Sequence, residues 1–146
     1  MVKEDIKDLN ERTAIIKGPN DKAFAYAYVE LREAAGYARA RFRDCSIGHG
    51  ISDFFHKQIP RYTRLPAELK REAEAYAQIY PQFNDRNIER TKDLQSQDNS
   101  TFMRAFEGLQ ADYICIKNAF PGSAFWKTLE KRIEFYQKRY DELKAN

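Results

Sequence analysis

Cysteine and histidine are scarce and tryptophan occurs once: two Cys, two His and one Trp in 146 residues. The thiols of Cys45 and Cys115 allow one disulfide at most, and they suit a reducing cytoplasm, where both would stay free. Cys45, His49 and His56 are neighbours in sequence, yet structural zinc takes four ligands, and neither a CxxC nor an HxxxH pair is present. No metal and no cofactor is therefore expected. Long apolar runs are missing too, and none approaches the ~20 residues that a spanning helix needs, so no membrane segment is expected. The opening residues Met1, Val2, Lys3, Glu4 and Asp5 lack the apolar core of a signal peptide. Sustained alternation of β-branched residues with polar ones is absent, which removes the strand signal and leaves an all-α fold.

What the chain does have is rings and helical periodicity. Nine Tyr and ten Phe, with 42% hydrophobic and 32% charged residues, are enough to bury a core in one folded domain spanning residues 1–146. The expected architecture is a compact multi-helix bundle of about six or seven helices. Val2, Ile6, Leu9, Thr13 and Ile16 step by four and three, predicting an amphipathic helix over 3–17 that stops at Gly18-Pro19. Asn20 can cap a long helix whose seam is Phe24, Tyr28, Leu31, Ala35, Ala38 and Phe42, with Arg32, Arg39 and Arg43 on a basic shoulder beside it. Gly36 lies inside that helix, as if for close packing or a bend.

Farther on, Ser52 is a plausible cap for a short helix carrying Phe54, Phe55 and Ile59 and ended by Pro60. Pro66 opens a fourth helix (Leu69, Ala73, Tyr76, Tyr80) ended by Pro81. Asn84 can cap a fifth over 85–95, followed by a polar loop at 96–100. The clearest seams come last. Phe102, Phe106, Leu109, Tyr113, Ile116 and Phe120 precede a Pro121-Gly122 turn. After a Ser123 cap follow Trp126, Leu129, Ile133, Tyr136, Tyr140 and Leu143. Two such seams joined by a tight turn predict a C-terminal antiparallel helical hairpin.

Net charge is +3, but it is unevenly placed. Between residues 39 and 64, six cations (Arg39, Arg41, Arg43, Lys57, Arg61, Arg64) face two acids (Asp44, Asp53); that segment is +4 and the rest of the chain is −1. Arginines interleaved with rings, as in Arg61-Tyr62-Thr63-Arg64, suit contact with phosphates and unpaired bases. The candidate nucleic-acid-binding set is Arg32, Arg39, Arg41, Arg43, Lys57, Arg61, Tyr62 and Arg64. A helix-turn-helix over residues 31–60 fits less well, because Arg43 and Asp53 stand where that motif places apolar residues.

Arg43, Asp44 and His49 also bear on chemistry. Phe42-Arg43-Asp44, four residues and His49-Gly50 resembles the R-x(4–6)-H motif of HEPN-domain ribonucleases, a family of small all-α proteins. The resemblance covers a few residues and implies metal-independent RNA cleavage by a dimer, with Arg43 stabilising charge at the scissile phosphate and His49 transferring a proton. The leading expectation is instead non-enzymatic: a small cytoplasmic helical subunit that docks on protein subunits of a larger complex and contacts an RNA or single-stranded DNA backbone. In size, class and mild basicity it is similar to the small α-helical subunits of CRISPR effector complexes, by architectural analogy alone. A third reading is a protein-binding inhibitor or adaptor that makes no nucleic-acid contact.

Overall fold

The structure, a computed structural model, describes residues 11–41 and 46–145, with side chains for 11–36 and 50–145. The protein is an all-α helical bundle, with six helices and no strand among the described residues. They are α1 (residues 11–17), α2 (Asp21–Arg41), α3 (Ser46–Thr63), α4 (Ala67–Leu94), α5 (Asn99–Ala119) and α6 (Phe125–Ala145). The chain divides into two compact units, Met1–Tyr80 and Pro81–Asn146.

The first unit is built round α2. Asn20 caps it as its sequence position predicts, accepting from the Ala23 amide at 3.0 Å through its side chain and from the Phe24 amide at 2.9 Å through its carbonyl. The predicted seam residues Phe24, Tyr28, Leu31 and Ala35 are buried, and so are Ala25, Tyr26, Ala27, Val29 and Glu30 between them. A helix apolar on one stripe has become a helix buried all round over 24–31. The small Ala25 and Ala27 leave room for that, while rings reach outward: Tyr26 packs edge-on against Tyr76 of α4 and Tyr28 stacks on Tyr62 of α3. Ala38 and Phe42, the rest of the predicted seam, lie outside the described side chains.

Gly36 corrects a sequence expectation. It is exposed, and a Cβ built on it meets nothing within 4 Å among the described residues, so none of them packs closely on it. No glycine among the described residues has positive φ. Gly36→Ala should therefore raise stability by ~1 kcal/mol through helix propensity. Urea unfolding checks this, and a lowered midpoint for the alanine variant would contradict it.

Prolines were read as stops, and two of them are not. α3 runs from Ser46 through Pro60 to Thr63, so Ser52 lies inside the helix and does not begin it. Pro60 sits in the last turn and cannot donate to the His56 carbonyl, yet the helix continues, and the Arg64 amide still reaches the Pro60 carbonyl at 3.3 Å. α4 likewise runs through Pro81, joining the predicted fourth and fifth helices and leaving Asn84 within a helix. An interior proline costs ~3 kcal/mol. Burial opposes that cost on either side of Pro81: Ala73, Tyr76 and Tyr80 in the first unit, Asn87 and Leu94 in the second. Pro66 stands one residue before α4, its carbonyl accepting from the Lys70 amide at 3.1 Å.

In the second unit α5 begins at Asn99, inside the stretch read as loop. Asp98 is its cap, accepting from the Thr101 amide at 3.0 Å. α5 and α6 pack antiparallel, with Phe102 against Tyr136 and Phe106 against Tyr140 at one end and Tyr113 against Trp126 at the other. Phe102, Phe106, Leu109 and Ile116 are buried on α5. On α6 only Phe125 and Leu129 are fully buried, so the predicted seam of Trp126, Ile133, Tyr136, Tyr140 and Leu143 is half-buried. Ser123 does not cap α6; its hydroxyl donates back to the Phe120 carbonyl at 2.8 Å. The second half of α4 joins this pair through polar contacts. Arg86 and Arg90 converge on the buried Asp112 of α5, while Arg132 of α6 donates to the Asn87 carbonyl and the Thr91 hydroxyl. Glycine matters at Gly108, where a Cβ would stand 2.8 Å from Arg90 Nη2 and push that guanidinium from its path to Asp112.

Candidate nucleic-acid interface

The eight residues singled out for nucleic-acid contact separate into three groups. Arg32, Arg61 and Tyr62 are engaged inside the first unit. Arg32 on α2 pairs with Glu74 on α4 at 3.3 Å, and its guanidinium stands 5.8 Å from the Tyr28 ring. Arg61 on α3 ties the end of α1 to the start of α2, donating to the Ile16 carbonyl at 2.8 Å and to Asp21 at 3.1 Å, with its guanidinium 4.1 Å from the Phe24 centroid. Tyr62 lies flat on Tyr28 with ring centroids 4.0 Å apart, and its hydroxyl donates to Glu74 at 2.6 Å. Burial, then the Glu74 hydrogen bond, push the Tyr62 hydroxyl far above the usual phenol range. The same bond draws the Glu74 carboxyl downward.

Lys57 and Arg64 form the second group. Both are exposed and neither makes an ion pair among the described residues. Lys57 lies on α3, and Arg64 stands one residue past its end at Thr63, its amide still reaching the Pro60 carbonyl. The third group, Arg39, Arg41 and Arg43, lies outside the described side chains, as does the side chain of His49. Arg39 and Arg41 belong to the backbone of α2 and His49 to that of α3. The Arg43–His49 geometry on which the ribonuclease resemblance turns, and Cys45 with it, therefore fall outside the description.

Among the described residues no group of three or more His, Cys, Asp or Glu is placed to hold a metal. His56 Nδ1 donates to the Ser52 carbonyl at 2.7 Å, so its proton is committed to its own helix. That nitrogen also lies 3.5 Å from Ser52 Oγ, but while it carries the proton it cannot act as a base toward the hydroxyl. Cys115 is exposed and free. No helix of the described residues is long and apolar enough to cross a membrane.

Sequence reasoning missed a buried polar cluster beneath α2. Glu30, whose side chain is 0% exposed, accepts from the Tyr76 hydroxyl at 2.9 Å and lies 3.4 Å from Arg12 Nε. Arg12 in turn donates to the Tyr80 hydroxyl at 3.2 Å. Burial, then the nearby Glu30 charge, raise the Tyr76 hydroxyl well above its ordinary range. Tyr26 is pushed up to about 12, first by burial and then by Glu72, to which it donates at 3.2 Å. One signal was there to read: Glu30 interrupts an apolar run, and Arg32, the cation nearest in sequence, lies two residues on and so roughly on the opposite side of the helix.

The chain matches no known family model, no curated protein and no solved structure.

Proposed function

We propose that the protein is a non-catalytic helical module that docks on protein partners and contacts a nucleic-acid backbone through α3. One observation carries this reading: Lys57 on α3 and Arg64 just past its end stand exposed and make no ion pair among the described residues, whereas the neighbouring Arg32 and Arg61 are already paired with acids. A cation without a protein counter-charge is one that can neutralise a phosphate and release its condensed counterion. Arg39, Arg41 and Arg43 precede Lys57 and Arg64 in sequence and extend the basic segment. For protein docking, Ile88 and Ile114 of the second unit offer apolar surface at 49% and 56% exposure. The sparse cysteines and exposed Cys115 suit a reducing cytoplasm.

A salt titration of oligoribonucleotide binding tests the reading. Lys57→Gln with Arg64→Gln should flatten the slope of log affinity against log salt by roughly 1.4, two phosphate contacts at ~0.7 each for a single strand. An unchanged slope, or no binding of the wild type at low salt, would overturn it. Cleavage of the RNA that disappears in His49→Ala would replace it with the ribonuclease reading.

A further inference from the structure

Phe135 is the most exposed large apolar residue described, at 76%. It lies on α6 six residues beyond the buried Leu129, about 240° round the helix and away from the seam that packs on α5. Its ring is held edge-on to Tyr136, with centroids 4.8 Å apart and planes at 80°. Cations occupy the helical positions around it: Lys131 four residues before, Lys138 three after and Arg139 four after. Lys138 is exposed and makes no ion pair among the described residues. Arg139 donates to Asn99 Oδ1 at 3.3 Å and stacks 4.1 Å from the Phe102 centroid, which anchors it beside the patch. Glu142, seven residues on, is the one acid on the same line, so the face is cationic on balance. Isolated exposed rings are ordinary on protein surfaces. A ring encircled at i−4, i+3 and i+4 by cations is a more specific arrangement, because it pairs a π-face with phosphate-binding charge.

We infer that Phe135 with Lys131, Lys138 and Arg139 forms a stacking platform for single-stranded nucleic acid. An unpaired base lies on the Phe135 ring while the flanking phosphates meet the cations. Any base can be accepted, since each has a π-face and nothing here reads base edges. A duplex keeps its bases stacked inside and cannot use the ring, so the site selects single strands. The inference rests on the nucleic-acid reading above and adds a second contact surface, in the other unit, together with the class of strand.

The experiment is fluorescence anisotropy with labelled oligouridine and with an RNA duplex of equal length, using the full chain. Phe135→Ala should weaken oligouridine binding by roughly five- to a hundred-fold, leave duplex binding unchanged and leave the salt slope unchanged, since no charge is removed. Phe135→Tyr should restore affinity. Lys138→Gln should lower the slope by roughly 0.7. Wild-type circular dichroism for each variant excludes a folding defect. Oligouridine binding by Phe135→Ala equal to wild type overturns the platform, as does self-association of the wild type that Phe135→Ala abolishes while nucleic-acid affinity stays the same. If Phe135→Ala loses affinity while the Lys57→Gln, Arg64→Gln variant keeps its slope, the platform stands and the α3 reading falls. The converse pattern removes the platform alone, and a wild type that binds no nucleic acid removes both.

Discussion

Glu30→Ala should destabilise the protein by about 3–5 kcal/mol at neutral pH, the loss expected when one partner of a buried ion pair is removed. The Glu30 side chain is fully buried and that of Arg12 is 17% exposed, so neither can turn to water without moving α1 or α2. Alanine removes the carboxylate beside the Arg12 guanidinium and an acceptor of the Tyr76 hydroxyl, and it opens a void where α2 is buried all round. The loss measures the cost of removing a buried counter-charge; it is not the net worth of the pair, since desolvation of the two charges offsets much of their attraction. Tyr76→Phe removes a single hydrogen bond and keeps the ring, so it should cost only about 1–3 kcal/mol. Urea unfolding of both variants decides the point. A loss below 1 kcal/mol for Glu30→Ala would mean that the pair is not closed in solution.

Phe106→Ala should cost about 3–5 kcal/mol in the second unit, because a large ring leaves a void that its neighbours can only partly close. Phe106 is 0% exposed and lies nearly parallel to Tyr140, with centroids 4.5 Å apart, and beside Phe102 at 5.9 Å. Ile133→Ala, at a half-buried position of the α6 seam, should cost distinctly less although its helical spacing is equally regular. Equal losses at the two sites would show that α6 is buried more deeply in solution than its exposure here indicates.

Periodicity and local capping were legible because both depend on residues within a turn or two. Phe24, Tyr28 and Leu31, and Phe102, Phe106, Leu109 and Ile116, are buried where their spacing places them. Asn20 caps α2 through a side chain three residues from its donor. The prolines were misread because a local rule met burial set by distant residues. Pro81 is carried inside α4 between Tyr80 and Asn87, both buried, and that burial was not visible from the proline's neighbours. The candidate site was legible only as composition. Which cations are paired was hidden, since Arg32 meets Glu74 from 42 residues away and Arg61 meets Asp21 from 40. Phe135 could have been found, because it falls off the α6 seam that the spacing of Leu129, Ile133 and Tyr136 defines.

Trp126, whose indole nitrogen donates to the Pro121 carbonyl at 3.0 Å, is the chain's one tryptophan and belongs to the second unit. Its emission therefore reports on the packing of α5 and α6 around it, whereas circular dichroism at helical wavelengths sums over both units. Midpoints that coincide by the two methods would make the chain one cooperative transition. Midpoints that separate would give each unit a stability of its own, and would tell which unit a substitution such as Glu30→Ala or Phe106→Ala had loosened.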